Sequence, residues 1–249
     1  LAQGDERGMR LEPLDLATLG GRLTVNGDVS WDGGTRWTLE VTGEEIDPGV
    51  YLPEWPGRLG ARISSSGSLA AEAGAQPVST STIHELSGQL RGQAVSARGA
   101  LEYRAGRLQA RALQLASGPN RINIDGQVDE RLAISFDIDA PELGGLYPGL
   151  AGRLEGTGRV EGTQQAPAVV ARLSGKALAF EGASAQDLGL ELDWREDGGR
   201  GQLRLAGVQA EGVQVTRLSA DLQGTPGLHD LKLSVDAEVS DGDLGTGGR

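Results

Sequence analysis

The chain's two histidines are the first places to look for chemistry. His84 stands in STIHELSG, where a Ser, a His and a Glu lie close together, the company that a hydrolytic relay or a zinc site requires. Strand alternation sets His84 and Leu86 on one face and Glu85 on the other, so the three do not converge. His84 therefore reads as a solvated strand residue, and His229, beside the turn in TPGLHD, reads the same way. The glycines of GRLEGTGRVEG invite a phosphate-loop reading, but the spacing is not GxGxxG, no Lys-Ser/Thr follows and no helix comes next. Asp137, Asp139 and Glu142 are the residue types of paired acid–base chemistry or of calcium binding. Their alternation with apolar residues makes them one wet face of a sheet instead. SDGDLGTGG, near the end, is too short for a calcium loop. The chain has no Cys, which removes disulfides, thiolate metal sites and a cysteine nucleophile together. No catalytic residue, metal ligand or cofactor site emerges, and the expectation is that the protein is not an enzyme.

What must hold these residues is a series of strands. In RINIDGQVDERLAISFDID, residues 121 to 139, Ile122, Ile124 and Val128 share one side of an extended chain. Leu132, Ile134, Phe136 and Ile138 do the same, while Asn123, Asp125, Ser135, Asp137 and Asp139 take the other side. A period of two puts one row on each face of a sheet. The pattern recurs at Leu23 and Val25, at Trp37, Leu39 and Val41, at Leu188, Leu190, Leu192 and Trp194, at Leu203 and Leu205, and at Leu231, Leu233, Val235 and Val239. Gly, Asn, Asp or Pro bounds each run, as turns require. The spacing predicts about 15 strands, with a β-bulge where the phase slips from Leu108 and Ala110 to Leu113 and Leu115. Short turns favour an antiparallel meander, because parallel pairing needs long crossovers. Laid side by side such strands extend about 70 Å; twist and Gly-rich bends then curl the sheet into a barrel, a sandwich or an open trough.

Composition narrows the class. Aromatics are 4% of residues while Gly numbers 40, more than twice the usual share, which is too much Gly for a helical protein. The formal charge of −12, with basic residues scattered singly, excludes a nucleic-acid partner, since phosphate backbones are held by clustered Lys and Arg. No apolar run is long enough for a spanning helix. The opening LAQGDERGMRLEPLDL and the closing SDGDLGTGGR read as the boundaries of a section cut from a longer chain. Two Pro- and Gly-marked segments, IDPGVYLPEWPGRL at 46 to 59 and PELGGLYPGLAGRL at 141 to 154, interrupt the strands in matching fashion. The chain is therefore expected to be one continuous β-repeat region over 1–249, with weak copies at about 21–115 and 120–240 and no separate globular domains.

The apolar face has several readings. It is a dry core, a surface for a partner, or the lining of something carried. A lining of aliphatic side chains with Gly recurring inside strands packs less well than a core of this size should, and it suits acyl chains, at about 0.8 kcal/mol for each buried methylene.

The segments LYPGLAGRLEGTGRVEGT (146 to 163) and QQAPAVVARLSGKAL (164 to 178), with a weaker earlier version at 46 to 67, resemble the TamB family of translocation and assembly module proteins, relatives of the AsmA-like proteins. The resemblance covers most of the chain and is strongest from about 120 to 180. It implies a periplasmic protein anchored in the inner membrane by an N-terminal helix, folded as a long, curled, mostly antiparallel all-β sheet, a taco-like trough or open barrel with an apolar inner and a polar outer face. It implies movement of phospholipid between inner and outer membranes, or assembly of outer-membrane β-barrels and autotransporters by strand augmentation. The implied partners are phospholipid acyl chains and a TamA-like outer-membrane protein, the latter reached through parts outside this section. A secreted β-repeat scaffold is the further alternative. The candidate groove residues are those of the alternating rows: Leu23, Val25, Trp37, Leu39, Leu132, Ile134, Phe136, Ile138, Leu190, Leu192, Leu203, Leu231, Leu233 and Val235.

Overall fold

Alternating sequences joined by short Gly-bearing turns leave each strand no nearer partner than the next in the chain, and the fold follows that logic throughout. A computed structural model describes residues 2–72, 74–210, 213–225 and 227–237. The strands are β1 (Ala2–Gly4), β2 (Gly8–Thr18), β3 (Gly21–Ser30), β4 (Gly34–Ile46), β5 (Gly57–Ala70), β6 (Val78–Leu90), β7 (Gln93–Arg104) and β8 (Arg107–Ser117). They continue as β9 (Asn120–Val128), β10 (Arg131–Ala140), β11 (Ala151–Thr163), β12 (Pro167–Phe180), β13 (Ala183–Trp194), β14 (Gly199–Ala210), β15 (Val213–Thr225) and β16 (Leu228–Asp236). Among the described residues they form one 16-stranded sheet in strict sequence order, β1 and β16 at its two edges. Every pairing is antiparallel. Val239 and the segment SDGDLGTGG lie outside the described residues.

The sheet is a curled, open trough rather than a closed barrel. Its turns fall along two long rims, with those that follow even-numbered strands on one of them. The two interrupting segments are there, as 3-10 turns at Pro48–Val50 and Leu143–Gly145. No helix among the described residues is long and apolar enough to cross a membrane.

The expected bulge is present, as a register shift between Ala110 and Leu113. A second one, at His84, corrects the face expected for that residue. The register slips between Ile83 and Leu86, which pair with Gly99 and Ala97. The extra residue inverts the alternation, and the His84 ring lies on the exposed side, 2.9 Å from the Ser64 hydroxyl.

The accessible surface is 16408 Å², against about 10,500 Å² for a compact monomer of 25.9 kDa. Among the described residues the fully buried apolar side chains are Ala140, Leu143 and Ala171. A sandwich of this length would bury far more, so the stabilising element is the backbone ladder itself, with half-buried rows on its inner face.

Candidate functional site

Register decides which side chains become neighbours across the sheet, so the site is built one ladder step at a time. Phe136 on β10 pairs with Ile124 on β9 and Gly158 on β11. From Gly158 the same row runs through Ala171, Leu192, Gly201 and Leu222 to Leu231 at the edge. On the other side Ile124 meets Leu113, and beyond the β7–β8 irregularity the row resumes as Ile83, Ile63, Val41 and Val25. This track crosses nearly the whole sheet at right angles to the strands, a run of about 65 Å at the usual strand spacing.

The other candidates fall on parallel tracks of the same face. Ile138 leads through Gly156 and Leu173 to Leu190, Leu203, Ala220 and Leu233. In the opposite direction it leads through Ile122, Leu115, Ala97, Leu86, Ala61 and Gly43 to Leu23. Ile134 connects with Leu39 by way of Gly126, Ala110, Leu101, Ser81 and Ser65. Leu132 connects with Trp37 through Val128, Leu108, Tyr103, Ser79 and Gly67. Val235 closes a further row with Leu218, Leu205 and Leu188. The candidates thus share one face, but not one environment. Leu132, Ile134, Phe136 and Ile138 are half-buried, whereas Leu231, Leu233 and Val235, on the edge strand, are 57%, 62% and 57% exposed.

Two of the large inner aromatics, Phe136 and Trp37, are seated in the same way. A Cβ at Gly158 would collide with the Phe136 ring, and one at Gly67 with the Trp37 ring. In each case a Gly on the following strand leaves the bare backbone as a floor on which the ring lies flat, so the inner surface stays smooth.

One stretch of the inner face is polar, and the sequence pattern did not reveal it. Ser65, Ser79 and Ser81 stand where aliphatic side chains stand elsewhere. The Trp37 indole N–H donates to Ser65 Oγ at 3.2 Å, and Ser81 Oγ–H donates to it at 3.1 Å. ISSSGS and VSTST carry hydroxyls at both parities, so alternation gives no sign of which ones face inward.

The rim that bears the two 3-10 turns is built differently. Asp47 Oδ1 accepts from the N–H groups of Gly49 and Gly57, both at 2.8 Å, and so closes the first loop on itself. Asn120, with no exposed surface, ties down the second. Its amide N–H donates to the Ser117 and Glu142 carbonyls at 2.8 Å, and its Oδ1 accepts from the Glu142 N–H at 2.9 Å. Ser117 Oγ–H adds a bond to the Gly145 carbonyl at 2.8 Å. The loops then meet each other: Trp55 contacts Tyr147 at 6.3 Å between ring centroids, Tyr147 contacts Phe180 at 6.2 Å, and the Arg91 guanidinium lies 5.4 Å above the Trp55 ring. Strands β5 and β10 are about 24 Å apart along the sheet, so the loops run along the rim to reach one another.

Charged residues keep to the outer face and the turns, largely in exposed pairs such as Arg10 with Asp28 and Arg58 with Glu45. Such pairs add little stability. At the β9–β10 turn, Asp129 is held below the ordinary carboxylate range, first by the Arg131 backbone N–H and then by the Arg107 side chain. Among the described residues no three His, Cys, Asp or Glu side chains converge as metal ligands would.

The family model described as "TamB, N-terminal domain" matches residues 1–249. A curated relative, the translocation and assembly module subunit TamB of Haemophilus influenzae, is 24% identical over 182 residues, which cover 73% of this chain and 14% of the relative. The chain thus spans about a seventh of the length of that relative. No solved structure matches it significantly.

Proposed function

The chain belongs to the TamB family, and from that premise we propose that it is one section of a periplasmic bridge that shields phospholipid acyl chains in its trough as lipid passes between inner and outer membranes. The observation that carries this reading is the apolar track through Phe136. It is continuous over many strands, half-buried, and left uncovered by any other part of the described chain. Methylenes laid along it gain about 0.8 kcal/mol each on leaving water, and the gain is much the same at every step, which is what a conduit requires. Direction then comes from whatever loads and unloads the ends. In this reading the sheet contains two weak copies of one unit, at about 21–115 and 120–240, each with its 3-10 loop on one rim, and the whole protein is anchored in the inner membrane and meets a TamA-like partner elsewhere along its length.

The test is site-specific photo-crosslinking in the full-length protein, in cells grown with radiolabelled phosphate, with the probe at Phe136 or at its outer-face neighbour Ser135. A labelled lipid adduct at Phe136 and none at Ser135 is expected. Equal adducts, or none, would remove the lipid reading.

A second reading, assembly of outer-membrane β-barrels by strand augmentation, is favoured by β16, the edge strand of the sheet among the described residues, whose outer backbone groups have no partner strand there and can template one. Pro substitutions along β16 would then abolish client capture while leaving Phe136 adducts unchanged.

A further inference from the structure

One side chain on the loop-bearing rim has a chemistry that the trough does not use. Arg91 sits in the β6–β7 turn, fixed by its backbone N–H to the Pro56 carbonyl at 2.7 Å. Its guanidinium stacks on Trp55, at 5.4 Å. Its Nη1 is shut off from water and donates to no acceptor among the described residues. Stacking occupies the face of a guanidinium and leaves hydrogen bonding to its in-plane edge, where Arg grips phosphate oxygens with a fork of donors; with Nη1 covered, a phosphate reaches that atom only by displacing what covers it. Buried donors without acceptors carry a free-energy penalty, and an anionic oxygen entering beside the indole removes it. The location is suited to such a ligand: Trp55 and Tyr147 bring the two loops together over this rim, next to the apolar tracks. A chain with a net charge of −12 repels phosphate elsewhere, so a fixed cation at the mouth is what would hold one.

We infer that Arg91, stacked on Trp55, is a docking point for a phosphate group at the rim of the trough. The assignment of that phosphate to a phospholipid, with acyl chains lying inward, rests on the lipid-conduit reading; the guanidinium itself would also take free phosphate.

The full-length protein with a photo-probe at Phe136 is loaded with phosphatidylglycerol or with diacylglycerol of identical acyl chains, and wild type is compared with Arg91→Gln and Arg91→Lys. The expected result is a fall of about tenfold in phosphatidylglycerol labelling for Arg91→Gln, from loss of charge-assisted hydrogen bonds. Partial recovery is expected with Arg91→Lys, and unchanged diacylglycerol labelling, which reports an intact fold and groove. Equal phosphatidylglycerol labelling of wild type and Arg91→Gln overturns the inference and leaves the groove reading standing. If neither lipid labels the wild type, the groove reading fails, and phosphorus NMR of inorganic phosphate decides the site alone. Line broadening by wild type and not by Arg91→Gln keeps it as a free-phosphate site, and any other result overturns it.

Discussion

The inner faces of β5–β6 and of β9–β10 are the same piece of architecture with different linings, the first part serine and the second apolar throughout. Both are antiparallel pairs of the same ladder, and each takes part in seating a large aromatic on a Gly: Trp37 of the neighbouring β4 rests on Gly67 of β5, and Phe136 of β10 rests on Gly158 of the neighbouring β11. Yet β5–β6 presents Ser65, Ser79 and Ser81 inward beside Ile63, Ile83 and Leu86, while β9–β10 presents Ile122, Ile124, Ile134, Phe136 and Ile138 without a hydroxyl among them. The hydroxyls of Ser65 and Ser81 bond to each other, and Ser65 also accepts from the Trp37 indole. The ladder therefore holds where one stretch of its lining is serine. The aliphatic row at β9–β10 exceeds what the fold requires, and the excess is what a transported hydrocarbon would use.

The sharpest way to separate fold from function is to damage both regions equally. Gly158→Val drives a side chain into the Phe136 ring, and Gly67→Val does the same to Trp37. Each is expected to cost about 1–3 kcal/mol, read as matching falls in denaturation midpoint. Only Gly158→Val should also suppress lipid adducts at Phe136. Equal loss of adducts from both would mean that lining chemistry does not matter locally and that the comparison fails.

A gentler pair exchanges the linings. Ile134→Ser, between Gly126 and Val160, removes a half-buried side chain and is expected to cost about 1–2 kcal/mol, below the range for a full core truncation, while weakening adducts at Phe136. Ser81→Ile extends the aliphatic track but strips Ser65 of a donor, so stability should change little and adducts at neighbouring Leu101 should rise. Unfolding measurements read beside crosslinking yields check both.

How much of this was legible beforehand follows from which signals are local. The 121–139 stretch announces two strands because its period of two is unbroken, and the slip at Ala110 to Leu113 announces a bulge because apolar residues change parity there. The bulge at His84 left the same kind of trace, Ile83 and Leu86 three apart on one face, but the Ser and Thr residues before Ile83 are compatible with either face and give no apolar row against which to read the change. The serine lining was hidden for the same reason. The rim contacts of Trp55, Tyr147 and Phe180 were out of reach altogether, because they depend on how far the sheet curls, a property of all its strands together. Likewise alternation established a greasy row but not what that row faces, and no local signal in the sequence carries that.

Within the polar patch itself, Ser65→Ala leaves the Trp37 indole N–H and the Ser81 hydroxyl without their shared acceptor. About 1 kcal/mol should be lost, with a shift in tryptophan fluorescence as the indole turns to water. Ser65→Thr, which keeps the hydroxyl, should restore most of the stability. If Ser65→Ala costs nothing, the hydroxyl network is incidental and β5–β6 holds by its backbone alone, which strengthens the claim that lining and fold are separable.

The smallest effect lies in the turns that set the two regions apart. The β9–β10 turn is held by Asp129, which accepts the Arg131 backbone N–H and the Arg107 Nε–H, both at 2.6 Å. Among its described residues, the longer β5–β6 connection is held by the Ala75 N–H to the Glu72 carbonyl at 3.1 Å. Both bonds to Asp129 favour the charged carboxylate, so its folded pKa lies below its unfolded value. The stabilisation is fully present above the unfolded value and is lost as pH falls through the folded one. In an NMR titration Asp129 should therefore protonate below the ordinary carboxylate range. Arg107→Gln should raise that midpoint only part of the way, because the Arg131 N–H, the larger cause, remains. Acidification should loosen the β9–β10 hairpin at that rim while β5–β6, with no such carboxylate in its described turn bond, stays as it was. A midpoint in the ordinary range would mean that the turn is held by its backbone geometry, and that the two hairpins differ in their lining alone.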